Sequence, residues 1–225
     1  MKLLSVSADA KTSKGEARGW LTGILYLAPA RQAGGMNLCP HASPGCLTAC
    51  LYSAGRGAFS NVQRARIAKT RRYLTDRDGF LADLRDDIGS LIAKAQREGK
   101  RPCVRLNGTS DIAWERTGLF ELFPDVRFYD YTKNGRRMLD FIDRKFPSNY
   151  HLTFSRSETN QAEALEVLAR GGNVSVVFRE PPTAWRGFPV VSGDETDLRF
   201  LDTPGHVIAL TAKGKAKVDS SGFVL

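Results

Sequence analysis

Apolar positions recur along this chain in two periods. Residues 20–27 are almost unbroken in apolar and strand-forming types, which predicts a strand. Residues 60–74 predict a helix with Ser60 as its N-cap. Phe80, Leu81, Leu84, Ile88, Leu91, Ile92 and Ala95 then repeat at helical spacing, with Asp78 placed to cap the helix and Gly99 to end it. Beyond Gly99, short apolar runs at 103–106, 126–129, 151–154, 174–178, 188–191 and 206–210 predict strands. Helical patterns lie between some of them, one with Met138, Leu139, Phe141 and Ile142, another with Ala162, Leu165, Val167 and Leu168. Residues 119–123 predict a short helix or turn.

Strands alternating with helices imply parallel βα units joined by right-handed crossovers. Six or seven mostly parallel strands predict an α/β fold, a partial or irregular β/α barrel. An open doubly wound sheet is the alternative. No repeat or low-complexity linker divides the 225 residues, so one domain over 1–225 is expected.

Both architectures place ligands at the C-terminal ends of the strands. Polar residues follow four successive predicted strands. They are Asn107, Ser110 and Asp111; Asp130, Thr132 and Lys133; Ser155, Arg156 and Glu158; Arg179 and Glu180. Asn107, Ser110, Asp111, Lys133, Arg156 and Glu158 are therefore candidate ligand-binding residues, suited to an anionic or amino-acid-like small molecule. Trp114 and Trp185 are candidates either to cover that pocket or simply to pack.

Residues 30–57 lack periodicity and are rich in Gly and Pro, which predicts a long ordered loop. It carries Cys39, Cys46 and Cys50 in a C-x6-C-x3-C pattern, with His41 inside it. Pro40, Pro44 and Gly45 are residue types that let the chain fold tightly around one centre. Ordinary buried thiols are one reading. Structural zinc, held by the three cysteines with His41 or Cys103, is a second. An iron–sulfur cluster is a third, and the loose spacing favours it, because zinc ligands usually come as closer pairs. Such a cluster would leave one iron open to a small molecule. Cys103, at the start of a strand, is expected in the core.

Composition narrows the setting. Thirty-three basic against twenty-four acidic residues give +9, with 42% hydrophobic and 25% charged residues. These values fit a folded globular chain and argue against general disorder. No apolar run reaches the ~20 residues a membrane-spanning helix needs. The start of the chain has no secretory pattern, so a cytoplasmic protein without a membrane partner is expected. Part of the charge gathers at Arg56, Arg64, Arg66, Lys69, Arg71, Arg72 and Arg77. A helix presenting Arg64, Arg71 and Arg72 is a candidate nucleic-acid face, or simply a solvated one. Redox sensing on nucleic acid, or a zinc-stabilised basic binding module, are thus the alternative functions. Asp194, Glu195, Asp197 and Asp202 read as a turn with a local Asp197–Arg199 pair, in preference to a hard-cation site.

Two resemblances follow from these residues. A cysteine loop after the first strand of a β/α partial barrel resembles the radical SAM superfamily. There three cysteines hold a 4Fe-4S cubane whose fourth iron chelates S-adenosylmethionine (SAM). The usual C-x3-C-x2-C spacing of that superfamily is absent here, and Asn107-Gly108-Thr109-Ser110-Asp111 stands where it has a Gly-Gly-Glu segment. A closer resemblance covers most of the chain. Residues 37–57, 104–112, 128–133, 193–202, 213–217 and the closing Gly222-Phe223 resemble the gene-product-88-like family of bacteriophages and prophages. That resemblance implies a phage setting and an iron–sulfur protein with a radical-SAM-like fold, its bound group a 4Fe-4S cluster.

Overall fold

The computed structural model describes residues 1–7 and 10–225, and gives only the backbone for Ala10, Lys11 and Ser53. The elements follow in chain order as β1 (Leu4–Val6), α1 (Ala10–Glu16), β2 (Trp20–Leu25), α2 (Pro44–Thr48), α3 (Ser60–Thr75), α4 (Arg77–Arg97) and β3 (Arg101–Arg105). Then come β4 (Arg127–Thr132), α5 (Gly135–Ile142), β5 (Tyr150–Ser155), α6 (Gln161–Ala169), β6 (Val174–Phe178), β7 (Ala184–Trp185), β8 (Phe188–Ser192) and β9 (Val207–Thr211). One sheet orders the strands β1-β2-β3-β4-β5-β6-β9-β8-β7. The run from β2 to β8 is parallel throughout, while β1 and β7 pair antiparallel at the two edges.

Strand order tests the two expected architectures. From β2 to β6 and on to β9, each parallel strand is added on the same side of its predecessor. A doubly wound sheet reverses from its centre, whereas here the order turns back only beyond β6, where β9 enters between β6 and β8. With crossovers of one hand, the crossover helices fall on one face. The main core records this. Leu21, Val104, Phe128, Leu152, Phe154, Val176 and Ala209 from alternate strand positions pack with Phe80, Leu84, Ile88, Met138 and Val167 from the helices. The fold is a mixed α/β one whose mostly parallel sheet stays open between the β1 and β7 edges, so the expected barrel is not formed. The sheet has nine strands among the described residues, where six or seven were expected.

The two extra strands are short. β1 has three residues and β7 two, too few to show a period. The β7–β8 hairpin turns on Arg186 and Gly187, with φ of 52° and 86°. Two positive φ values in a two-residue loop suit the twist of paired strands. Helix starts also shift slightly. Asp76, not Asp78, caps α4, accepting from Gly79 N at 3.0 Å. Ser60 is the first residue of α3 and makes no side-chain cap. Gly99 ends α4 at φ 63° as expected.

The opposite, inner face of the sheet carries no crossover helix among the described residues, and only α1 approaches it, through Gly15 beside Thr22 and Leu198. At its N-terminal end Trp20, Cys103 and Tyr129 pack against Leu198 and Phe200 of segment 194–202. At its C-terminal end Val177 packs with Ala212, Ala216, Phe223 and Val224 of the chain's last stretch, joined by Cys46 and Ala49. Two plugs therefore close the inner face, and a cavity lies between them.

Candidate functional site

The connection from β2 to α3 folds over the C-terminal end of the sheet. Leu38 anchors it: this buried residue donates its N–H to Ala30 O (3.0 Å), and its carbonyl accepts from Asp111 N (2.8 Å). Ser43 caps the short helix α2 by accepting from Cys46 N at 3.2 Å, with Pro44 in its first turn. Glu158 clamps the same turn from the β5–α6 side, accepting from Gly45 N and Ser43 Oγ, both at 2.7 Å. A Cβ on Gly45 would collide with Ser221 Oγ, Glu158 Oε1 and Phe223 Cβ, so this close approach requires glycine. The expected long ordered loop therefore contains α2 and two 3-10 turns, Leu51–Ser53 and Gly55–Ala58.

The result is a cavity of about 240 Å³ at the C-terminal mouth of the inner face. Cys39, Cys46 and Cys50 all line it from the loop side. None is in a disulfide, and each is half-buried. Cys39 Sγ accepts from Ala30 N (3.4 Å) and donates to Thr109 O (3.6 Å); Cys50 Sγ accepts from Tyr52 N (3.5 Å). Burial pushes the Cys39 thiol up to about 11, and it pushes Cys50 up as well. Cys50 and Cys46 further raise Cys39, and Cys46 raises Cys50, while the charges of Arg66 and Lys133 act to lower Cys50. Burial thus favours the protonated form of Cys39 and Cys50, which binding of a metal would have to overcome. Among the described residues, no three His, Cys, Asp or Glu side chains lie close enough together to hold one metal ion.

The fourth cysteine is elsewhere. Cys103 is fully buried in the lower plug, 3.2 Å from Thr22 Oγ1, with its thiol pushed up to about 12 by burial. That is the core position its place in the strand predicts. His41 is exposed and is not among the lining residues.

The strand side supplies Arg105, Asn107, Ser110, Asp111, Lys133 and Ser155. Two of these are saturated by the fold. Asn107 is a hub: its Oδ1 accepts from Ser110 Oγ, Ile112 N and Trp114 Nε1, while its N and Nδ2 donate to Asp130. Asp111 accepts from Arg137, Lys133 N and Thr132 Oγ1. Arg156 and Glu158 do not line the cavity. Arg156 instead donates to the carbonyls of Gly222 and Phe223, fixing the C-terminal stretch, and Glu158 holds the cysteine turn. Trp114 is fully buried against Tyr73 and Phe80, so it packs and covers nothing.

The hub carries a pH signature. Burial raises the Asp130 carboxyl from 3.8 to about 7, against the pull of Arg137 and the Asn107 N–H. Between those values the folded chain keeps a proton that the unfolded chain has lost. Stability from this group therefore falls as pH rises from about 4 to 7. Urea midpoints measured across that window should decline with pH, and Asp130→Asn should flatten the decline. An unchanged slope in the variant would remove Asp130 as its source.

The family model of gene product 88 matches residues 2–225. The chain belongs to the gene product 88 family. No curated protein and no solved structure matches it. The finding agrees with the closer of the two resemblances, and nothing extends it to the radical SAM superfamily.

In this gene product 88 protein the basic run on α3 is largely committed to the fold. Arg72 pairs with Asp83 at 3.0 Å, and Lys69 donates to Leu3 O at 2.6 Å. Arg66 is buried over the Tyr26 ring at 4.7 Å, and its Nε and Nη1 meet no acceptor among the described residues. Arg64 and Arg71 remain exposed. The acidic segment is also rearranged. Asp197 pairs with Arg105 of β3 at 2.8 Å, and Arg199 pairs with Asp202 at 3.3 Å, in place of the expected Asp197–Arg199 pair. Folding 194–202 under the sheet brings Asp197 to a buried cation that sequence distance conceals. No helix among the described residues is long and apolar enough to cross a membrane.

Proposed function

We propose that this protein binds a 4Fe-4S cluster through Cys39, Cys46 and Cys50, at the C-terminal mouth of an open β/α sheet. One observation carries the reading: Cys39, Cys46 and Cys50, none of them in a disulfide, line one cavity from a single loop. A zinc ion draws its thiolates to about 2.3 Å from one point, whereas a cubane gives each thiolate its own iron. The donor set fits the wider group. The Ala30 and Tyr52 N–H groups already donate to sulfur, as tuning of a cluster requires. Arg66 and Lys133 place positive charge beside Cys50, against the negative charge that three thiolates bring.

When bound, such a cluster supplies one-electron chemistry and an iron open to a small ligand. The chain's part is to hold three deprotonated sulfurs, fix the loop through Glu158 and Gly45, and limit access of water. Anaerobically purified protein should be brown and carry near-stoichiometric iron and sulfide. Colourless protein rich in zinc would overturn the reading and leave a metal-stapled binding module.

A further inference from the structure

The strand side of the cavity has a donor surplus. Lys133 follows β4 and is half-buried, with its ammonium 2.6 Å from Ser155 Oγ and 5.4 Å from the centre of the Phe223 ring. An ammonium has three N–H donors. Among the described residues one of them finds an acceptor, and the group makes no ion pair. The neighbouring carboxylate, Asp111, spends its oxygens on Arg137, Thr132 Oγ1 and the Lys133 backbone. Ser155 Oγ accepts from Lys133, and its own hydrogen reaches no acceptor among the described residues. Deeper in the cavity wall, Arg105 keeps a buried Nε without an acceptor although its Nη1 pairs with Asp197. Three residues lining the cavity thus carry donors that meet no acceptor among the described residues. A group that accepts and never donates would complete them, and charge assistance favours an anion.

The rest of the wall limits what carries that anion. Val177, Leu210 and Phe223 give one side an apolar surface. Such a pocket rewards an organic body as well as a charged end.

We propose that the cavity binds a small organic carboxylate, its carboxylate on Lys133 Nζ and Ser155 Oγ and its apolar part against Val177, Leu210 and Phe223. The site lies on the strand side and stands whether or not the loop side carries metal, so it goes beyond the cluster reading.

The probe is benzoate, compared with its neutral isostere benzamide and with inorganic phosphate. Titration calorimetry is run on protein whose iron content has been measured. Benzoate should bind, benzamide should bind at least tenfold more weakly, and phosphate should not displace benzoate. Lys133→Met should weaken benzoate about tenfold or more, the usual effect of deleting a charge-assisted hydrogen bond. Ser155→Ala should weaken it less, with melting temperature kept in both variants and each titration compared at equal measured iron content. Equal binding of benzoate and benzamide, no benzoate binding, or full binding by a folded Lys133→Met protein would each overturn the site. Phosphate displacing benzoate would overturn the organic ligand class. Iron-loaded protein that ignores benzoate would fail this proposal alone. Iron-free protein that binds it would fail the cluster alone.

Discussion

Serine in place of any one of Cys39, Cys46 or Cys50 is expected to abolish most iron binding, while Cys103→Ala leaves iron content unchanged. The three loop thiols line the cavity, and Cys103 is enclosed by Trp20, Tyr129 and Leu198 in the lower plug. A cluster held by three thiolates has no spare protein sulfur nearby to replace a lost one. The same three variants should melt lower than the iron-loaded parent, because a group bound by the folded state alone adds its binding energy to folding. Iron and sulfide assays with thermal melts check both halves. Retained iron in Cys46→Ser, or lost iron in a folded Cys103→Ala, would show that the ligand set is misassigned.

Asp197→Ala is expected to destabilise the fold by about 3–5 kcal/mol, the usual cost of stripping one partner from a buried ion pair. The side chains of Arg105 and Asp197 retain 12% and 3% of their accessible surface, so Asp197 is cut off from water and Arg105 meets it only at the cavity wall. Arg105 also lies over the Tyr131 ring at 4.6 Å, and the Tyr129 and Tyr131 hydroxyls both reach Asp197 at 3.4 Å. Removing Asp197 leaves a guanidinium buried among rings, and removing both charges does not. Arg105→Met combined with Asp197→Leu should therefore be more stable than Asp197→Ala alone. Urea unfolding of the three proteins makes the comparison. A single-variant loss below about 1 kcal/mol, the range of exposed pairs, would mean the pair is screened by solvent.

Most of the parallel strands were legible because each is a short apolar run set off by helical spacing. Residues 174–178 match β6, and 188–191 and 206–210 fall within a residue of β8 and β9. β1 and β7 were not legible, since three and two residues cannot display alternation. Four of the six ligand candidates reach the cavity wall, since polar residues after parallel strands share one rim. Arg156 and Glu158 come from the same rim yet hold other chain segments. Nothing in their local sequence marks that difference, because their partners lie 66 and 113 residues away. Arg105 was missed as a wall residue. Its charge at the end of an apolar strand was the available signal.

The sequence by itself determined the α/β class, the right-handed parallel winding and the concentration of three thiols in one loop. Those properties depend on local periodicity, on backbone chirality and on residues within twelve positions of one another. Only the tertiary structure decided that the sheet stays open, that the inner face is plugged by segments 194–202 and 212–225, and that Lys133 faces the cysteine loop across a cavity. Such features depend on contacts between distant segments, whose free energy is set by burial and charge pairing in three dimensions and leaves no period in the chain.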